Sequence, residues 1–166
     1  MSDAYSFAPF EAEFLDFTSR IVWCTVTTVD AKGRPRSRIL HPIWEVAGGG
    51  PVGWVFTGRT PVKTRHLAAN PHVSVSYWNP DHNTVTADCV ASWVEEPEAR
   101  RHVWDLFTTT PEPLGYDPSP FGVTGPDHPD FAALRLDPWR VQILRAEQIA
   151  DGDFAPRTWR SPAEVG

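Results

Sequence analysis

Seven of the chain's fifteen lysines and arginines fall between positions 32 and 65: Lys32, Arg34, Arg36, Arg38, Arg59, Lys63 and Arg65. A single carboxylate, Glu45, shares that interval, in a chain whose formal charge is -6. A local surplus of this sign inside an acidic protein points to a bound anion rather than to solubility. Arg34, Arg36 and Arg38 are spaced by two, which on a strand sets all three on one face. Side by side they repel unless water or a shared anion neutralises them. Arg34 and Arg36 lie near a turn and read equally well as a solvated face. Arg38 is followed by Ile39 and Leu40, and an arginine in apolar surroundings needs a partner. We expect that partner to be a phosphate.

Thr60 and Lys63 carry an independent argument. The first turn of a helix has free N–H groups and partial positive charge, so a lysine there is locally unfavourable. It becomes favourable if a phosphate sits at the same helix start. Thr57, ending a strand, can add a hydroxyl to that anion; a plain capped surface helix is the competing reading. The six histidines have no metal-ligand spacing, and no HExxH motif or cysteine pair is present. GxSxG, P-loop and GxGxxG signatures are missing too. Cys24 and Cys89 sit in apolar runs and read as reduced core residues. Asp88 and Ser92 have no evident triad partner, so no catalytic side chain is assigned.

These residues need elements to hold them. Phe10, Phe14, Phe17 and Ile21 recur at helical spacing and predict a helix over 9–20. Strand compositions occupy 22–29 and 34–46, joined by the turn Asp30-Ala31-Lys32-Gly33. Pro35 and Pro42 mark a strand end and a bulge or edge in the second run. A third strand covers 52–57. Thr60 as N-cap, Pro61 in the first turn and Asn70-Pro71 as terminator define a helix over 60–70. Strands follow at 73–78 and 83–94, then an amphipathic helix at 96–108. Residues 109–130 hold six prolines and three glycines and read as a long irregular loop, of the kind used as a lid or binding segment. The last strands are expected at 131–136 and 139–145, separated by Asp137-Pro138. Beyond 149 the polar tail is expected to fray. Seven strands with mostly hairpin connections predict an antiparallel barrel rather than a parallel doubly wound sheet. We therefore expect one domain over 1–150 and a polar C-terminal tail over 151–166.

Three runs in this layout resemble a known family. They are Gly33-Arg34-Pro35-Arg36-Ser37-Arg38-Ile39-Leu40, then Gly53-Trp54-Val55-Phe56-Thr57, then Lys63 through Leu67 to Asn70-Pro71-His72-Val73. Together they are similar to the pyridoxamine 5'-phosphate oxidase-like superfamily of FMN-binding split-barrel proteins. The resemblance covers roughly 10–146. It implies a mainly β fold, an antiparallel split barrel of six or seven strands with short flanking helices. It also implies a homodimer with FMN at the subunit interface. On this resemblance Arg38 corresponds to a phosphate-binding arginine, and Ile39 and Leu40 lie against the isoalloxazine edge through their backbone. Thr57 and Lys63 match phosphate- and ring-contacting positions, and Asn83 falls where the neighbouring subunit supplies an amide. The chain departs from the pattern at Pro61-Val62-Lys63, where the family often has Ser-Arg-Lys. Arg59 or Arg65 could compensate. Ile43 stands where true pyridoxamine 5'-phosphate oxidases place a substrate-binding lysine, and 146–166 lack their Arg/His segment. The flavin- and deazaflavin-dependent reductases of the superfamily are the better match.

The expected function is thus an FMN-dependent oxidoreductase acting on a small molecule. Trp44, Trp78, Tyr116 and Phe121 are candidates to shape the substrate pocket. Coenzyme F420, with a longer anionic tail that Arg34, Arg36, Arg59 and Arg65 would suit, is the alternative cofactor. A non-catalytic flavin- or heme-binding protein is the alternative of another class. A nucleic-acid-binding barrel is disfavoured by the acidic balance, although basic and aromatic residues alternate in places. No apolar run is long enough to span a membrane, and residues 1–10 lack a signal-peptide pattern. A cytoplasmic location is expected. Eight tryptophans are expected mostly in the core or a subunit interface.

Overall fold

A computed structural model describes residues 6–162. Helix α1 (Ala8–Ile21) buries Phe14 and Phe17 at the predicted spacing. Strand β1 (Cys24–Val29) turns Cys24, Val26 and Thr28 inward. It pairs antiparallel with β2 (Pro35–Leu40). The turn between them is closed by Asp30, whose Oδ1 accepts the backbone N–H groups of Lys32 and Arg34, and Gly33 takes the left-handed φ of +78° it requires.

The predicted strand over 34–46 is in fact two. It breaks at His41-Pro42, and β3 (Ile43–Ala47) pairs with β4 (Gly50–Phe56) instead of β1. Helix α2 (Pro61–Ala69), β5 (His72–Trp78), β6 (Thr84–Trp93) and α3 (Pro97–Thr109) follow as predicted, within two residues at each end. The segment after α3 is irregular save for a single 3₁₀ turn at Ser119–Phe121. The predicted pair of strands around Asp137-Pro138 is instead one strand, β7 (Ala133–Leu144). Its register against β6 shifts between Asp88 and Cys89, so that Cys89 faces Pro138 and Asp88 faces Arg140. That bulge is what lets a proline, with no N–H to donate, sit inside the strand.

The tail is a second correction. After the short helix α4 (Ala146–Ala150), β8 (Arg157–Arg160) pairs with β7, and Trp159 is buried at 4% exposure. Glu13 of α1 receives both Arg145 and Arg157, fastening this segment down. Residues 163–166 lie outside the described residues.

The described residues form one mainly antiparallel sheet of eight strands in the order β2-β1-β5-β6-β7-β4-β3, with β8 beside β7. The outer strands β2 and β3 do not pair with each other, yet only His41 and Pro42 separate them. Leu40 and Ile43 are three chain steps apart, at most about 11 Å, so the sheet must roll until its two edges come close. The result is a barrel left split along one seam. One apolar cluster, with Phe14, Trp44, Tyr77 and Trp159, fills the side toward α1; another, with Ile43, Trp54, Phe107 and Phe131, fills the side toward α3. No described helix is long and apolar enough to cross a membrane.

Candidate functional site

Arg38 sits mid-strand on β2 and faces inward, in register with Val26 of β1. Its Nη2–H donates to Thr28 Oγ1 at 2.9 Å, and its Nη1 is buried with no hydrogen-bond partner. Thr28 Oγ1 also lies 2.9 Å from Nδ1 of His66, on α2. Lys63, one turn earlier on α2, is 3% exposed. Its ammonium donates to Thr57 Oγ1 at 2.5 Å and faces the Trp93 ring at 5.9 Å, leaving the other two N–H groups without a hydrogen-bond partner among the described residues.

No carboxylate pairs with Arg38 or Lys63 among the described residues. Burial lowers the Lys63 ammonium to about 8, and the Arg38 charge adds to that depression. Burial, and next the Arg36 charge, push the Arg38 guanidinium below its ordinary value. Two neighbouring cations, Lys63 buried and Arg38 half-buried with an orphaned Nη1, are a costly arrangement that an anion would relieve. The residues present therefore fit a phosphate-bearing cofactor. Beyond His66 the basic strip continues into a cleft of about 600 Å³ lined by Lys32, Arg34, Arg36 and Arg65, with Asp30 as its one acidic residue.

A family model for pyridoxamine 5'-phosphate oxidase matches residues 10–145. The chain belongs to that family. Solved structures agree on the fold. A Clostridium acetobutylicum protein related to general stress protein 26 of Bacillus subtilis superposes with a TM-score of 0.65 at 13% identity, covering 95% of this chain and 98% of that one. A pyridoxamine 5'-phosphate oxidase-related, FMN-binding protein of Nostoc punctiforme gives 0.62 at 18% identity, over 85% of each chain. The heme storage protein of Vibrio cholerae gives 0.55 at 23% identity, over 77% of this chain and 89% of that one. No curated protein sequence matches the chain.

Within this member of the pyridoxamine 5'-phosphate oxidase family, the structure sorts the sequence candidates. Arg38, Thr57 and Lys63 come together. Thr60 precedes α2 in extended geometry, but its side chain caps nothing and is exposed. Ile39 points to the opposite sheet face from Arg38 and is 62% exposed. Leu40 is half-buried, and its carbonyl accepts the Cys24 thiol at 3.3 Å. Asn83 lies beyond the Trp78 end of β5, at the other end of the sheet from Thr28, where its Oδ1 accepts the Ala146 N–H at 3.0 Å. In this protomer it therefore does not join the Arg38–Lys63 group.

Arg59 is held by Glu95 and lies 4.4 Å over the Trp93 ring, which the Lys63 ammonium also faces at 5.9 Å. Trp44 is a core residue whose indole N–H donates to Tyr77 Oη. Tyr116 packs on His41 and Phe56, and His41 Nε2–H donates to the Leu114 carbonyl at 3.1 Å. Those contacts fasten the proline-rich segment to the seam of the barrel. Sequence reasoning missed Thr28 and His66. The available signal was a threonine at a core-facing position of β1, and a histidine three residues after Lys63 on the same helix.

Proposed function

We propose that this protein binds FMN through Arg38, Lys63 and Thr57 and is a flavin-dependent oxidoreductase acting on a small molecule. The observation that carries this reading is the pair of cations, Lys63 buried and Arg38 half-buried with an unpartnered Nη1, that no carboxylate among the described residues pairs with. Arg38 would give a planar fork to the phosphate and Lys63 a point charge, while Thr57 holds the ammonium in place. Bound there, the cofactor would supply the electron-transfer chemistry; the protein supplies the anchor and the aromatic wall around Phe56 and Tyr116. Membership of a family of FMN-linked oxidases supports the reading.

A second cofactor, coenzyme F420, is favoured by one feature, the basic cleft that begins at His66. Its longer anionic tail could lie along Arg36 and Arg65. Calorimetric titration of the purified protein with FMN and with F420, after its visible spectrum is recorded, ranks the two. Binding of neither at micromolar concentration would end the oxidoreductase reading. A heme spectrum, or a bound flavin that no acceptor reoxidises and no donor reduces, would favour a storage protein instead.

A further inference from the structure

His66 touches the anchor only through another side chain. Arg38 is a donor at all accessible pH, so Thr28 Oγ1 accepts from Nη2 and its own hydrogen is left to point elsewhere. The group in reach is His66 Nδ1, at 2.9 Å. With the imidazole neutral as its Nε2–H tautomer, that nitrogen is the acceptor and Thr28 has no donor left for a ligand. With an imidazolium the direction reverses: Nδ1–H donates to Thr28 Oγ1. The oxygen then accepts from both neighbours, and the hydroxyl hydrogen is freed.

We propose that His66 is a positioning residue that couples proton uptake to anion binding, by switching Thr28 from donating to His66 to donating to the anion held by Arg38. The inference rests on the anion-anchor reading above. One proton is gained from solvent at Nδ1, and one hydroxyl hydrogen rotates from His66 toward the ligand. Histidine is the side chain whose ordinary charge change falls between pH 5 and 8. Two other groups of the cleft and anchor have displaced values. Asp30 is kept at about 2 by its hydrogen bonds to the Arg34 backbone and guanidinium, while Lys63, lowered to about 8 by burial and the Arg38 charge, begins to lose its proton at the upper end of the window. Lys63 alone would change anion binding by less than about twofold across that window, and the His66 and Thr28 variants separate its contribution from that of the relay.

The test is calorimetric binding of sulfate, whose charge is fixed over this range, and of FMN, to the full-length protein between pH 5.5 and 7.5. Wild type should bind sulfate about fivefold more tightly at the lower pH, the worth of one ordinary hydrogen bond. His66→Asn keeps an acceptor where Nδ1 stood; it should match wild type at pH 7.5 and lose the pH dependence. Thr28→Val leaves His66 free to titrate but cuts the relay, so it too should lose the slope. A slope that persists in Thr28→Val means that the imidazolium acts through space, and one that persists in His66→Asn means that another group titrates; either overturns the proposal. Thermal unfolding of each variant checks that it is folded. Failure of wild type to bind either anion, or unchanged binding in Arg38→Ala, would instead remove the anchor itself.

Discussion

Lys63 shows how a binding group can be a liability to the fold that carries it. Burial moves its ammonium from the ordinary lysine value of 10.5 to about 8, so between those values the unfolded chain holds the proton more tightly than the folded one. The cost of the buried charge is then fully present below pH 8 and is relieved as pH rises toward 10.5. At 1.36 kcal/mol per unit this amounts to about 3 kcal/mol. Lys63→Met should therefore raise the stability of the ligand-free protein near pH 7 by about 2–3 kcal/mol, and flatten the rise in stability between pH 8 and 10. The same variant should lose the stabilisation that FMN gives to wild type. Denaturant melts at pH 7 and pH 10, with and without FMN, read all of these; a less stable ligand-free variant would show that the charge is compensated in a way the geometry does not contain. Arg38→Ala should weaken FMN binding by about 1–3 kcal/mol, the worth of a lost charge-assisted contact, measured by titration. Both side chains were legible in the sequence because a charge amid apolar neighbours, or in the wrong turn of a helix, stands out by type alone. Thr28 and His66 were not, because a threonine in a strand and a histidine on a helix are ordinary until register and packing bring them within 3 Å.

The elements reveal why local pattern reads some boundaries and not others. The helices at Ala8–Ile21 and Pro97–Thr109 were plain from periodicity, since each buries one stripe. The break at His41-Pro42 was not, because both halves have strand composition and only their choice of different partners separates them. Strand β7 runs through Asp137-Pro138 for the converse reason: a bulge, a long-range pairing feature, accommodates a residue that locally signals an end. Strand β8 is invisible in a polar tail because one apolar side chain, Trp159, does most of its docking. That side chain meets Phe7 edge-on at 5.1 Å and covers Gly50, where an added Cβ would lie 3.4 Å from the indole. Trp159→Ala should cost about 3–5 kcal/mol, as buried aromatic truncations do, seen as a lower urea midpoint. Gly115 carries a comparable constraint. A Cβ there would fall 1.7 Å from the Thr110 carbonyl oxygen, so the proline-rich segment can fold back onto α3 only with glycine at this position.

Among the described residues, one face of the assembled sheet carries large exposed apolar side chains. Ile39, Thr25 and Ser76 stand in one row across β2, β1 and β5, and Trp78 follows on the same side of β5. Ile39 is 62% and Trp78 56% exposed, while their neighbours Thr27, Ser37, Ser74 and Thr86 are small and polar. Large apolar side chains over a flat bed of small residues form a surface that can pack closely against a copy of itself, and isologous pairing is the usual form of homodimer. We propose that this face makes the dimer, and that the dimer completes the cofactor site. Ile39→Arg would put a charge into the middle of that contact, with its counterpart from the second copy beside it, whereas in the monomer the same change sits in water and leaves the core untouched. Sedimentation equilibrium should then show a dimer for wild type and a monomer for the variant, with the monomer's melting curve retained and its FMN affinity reduced by tenfold or more, about 1.4 kcal/mol. A monomeric variant with full affinity would separate the interface from the anchor, leaving Arg38, Thr57 and Lys63 to hold the phosphate from within one chain. A variant that stays dimeric would move the interface elsewhere, to the strand edges at the split in the barrel.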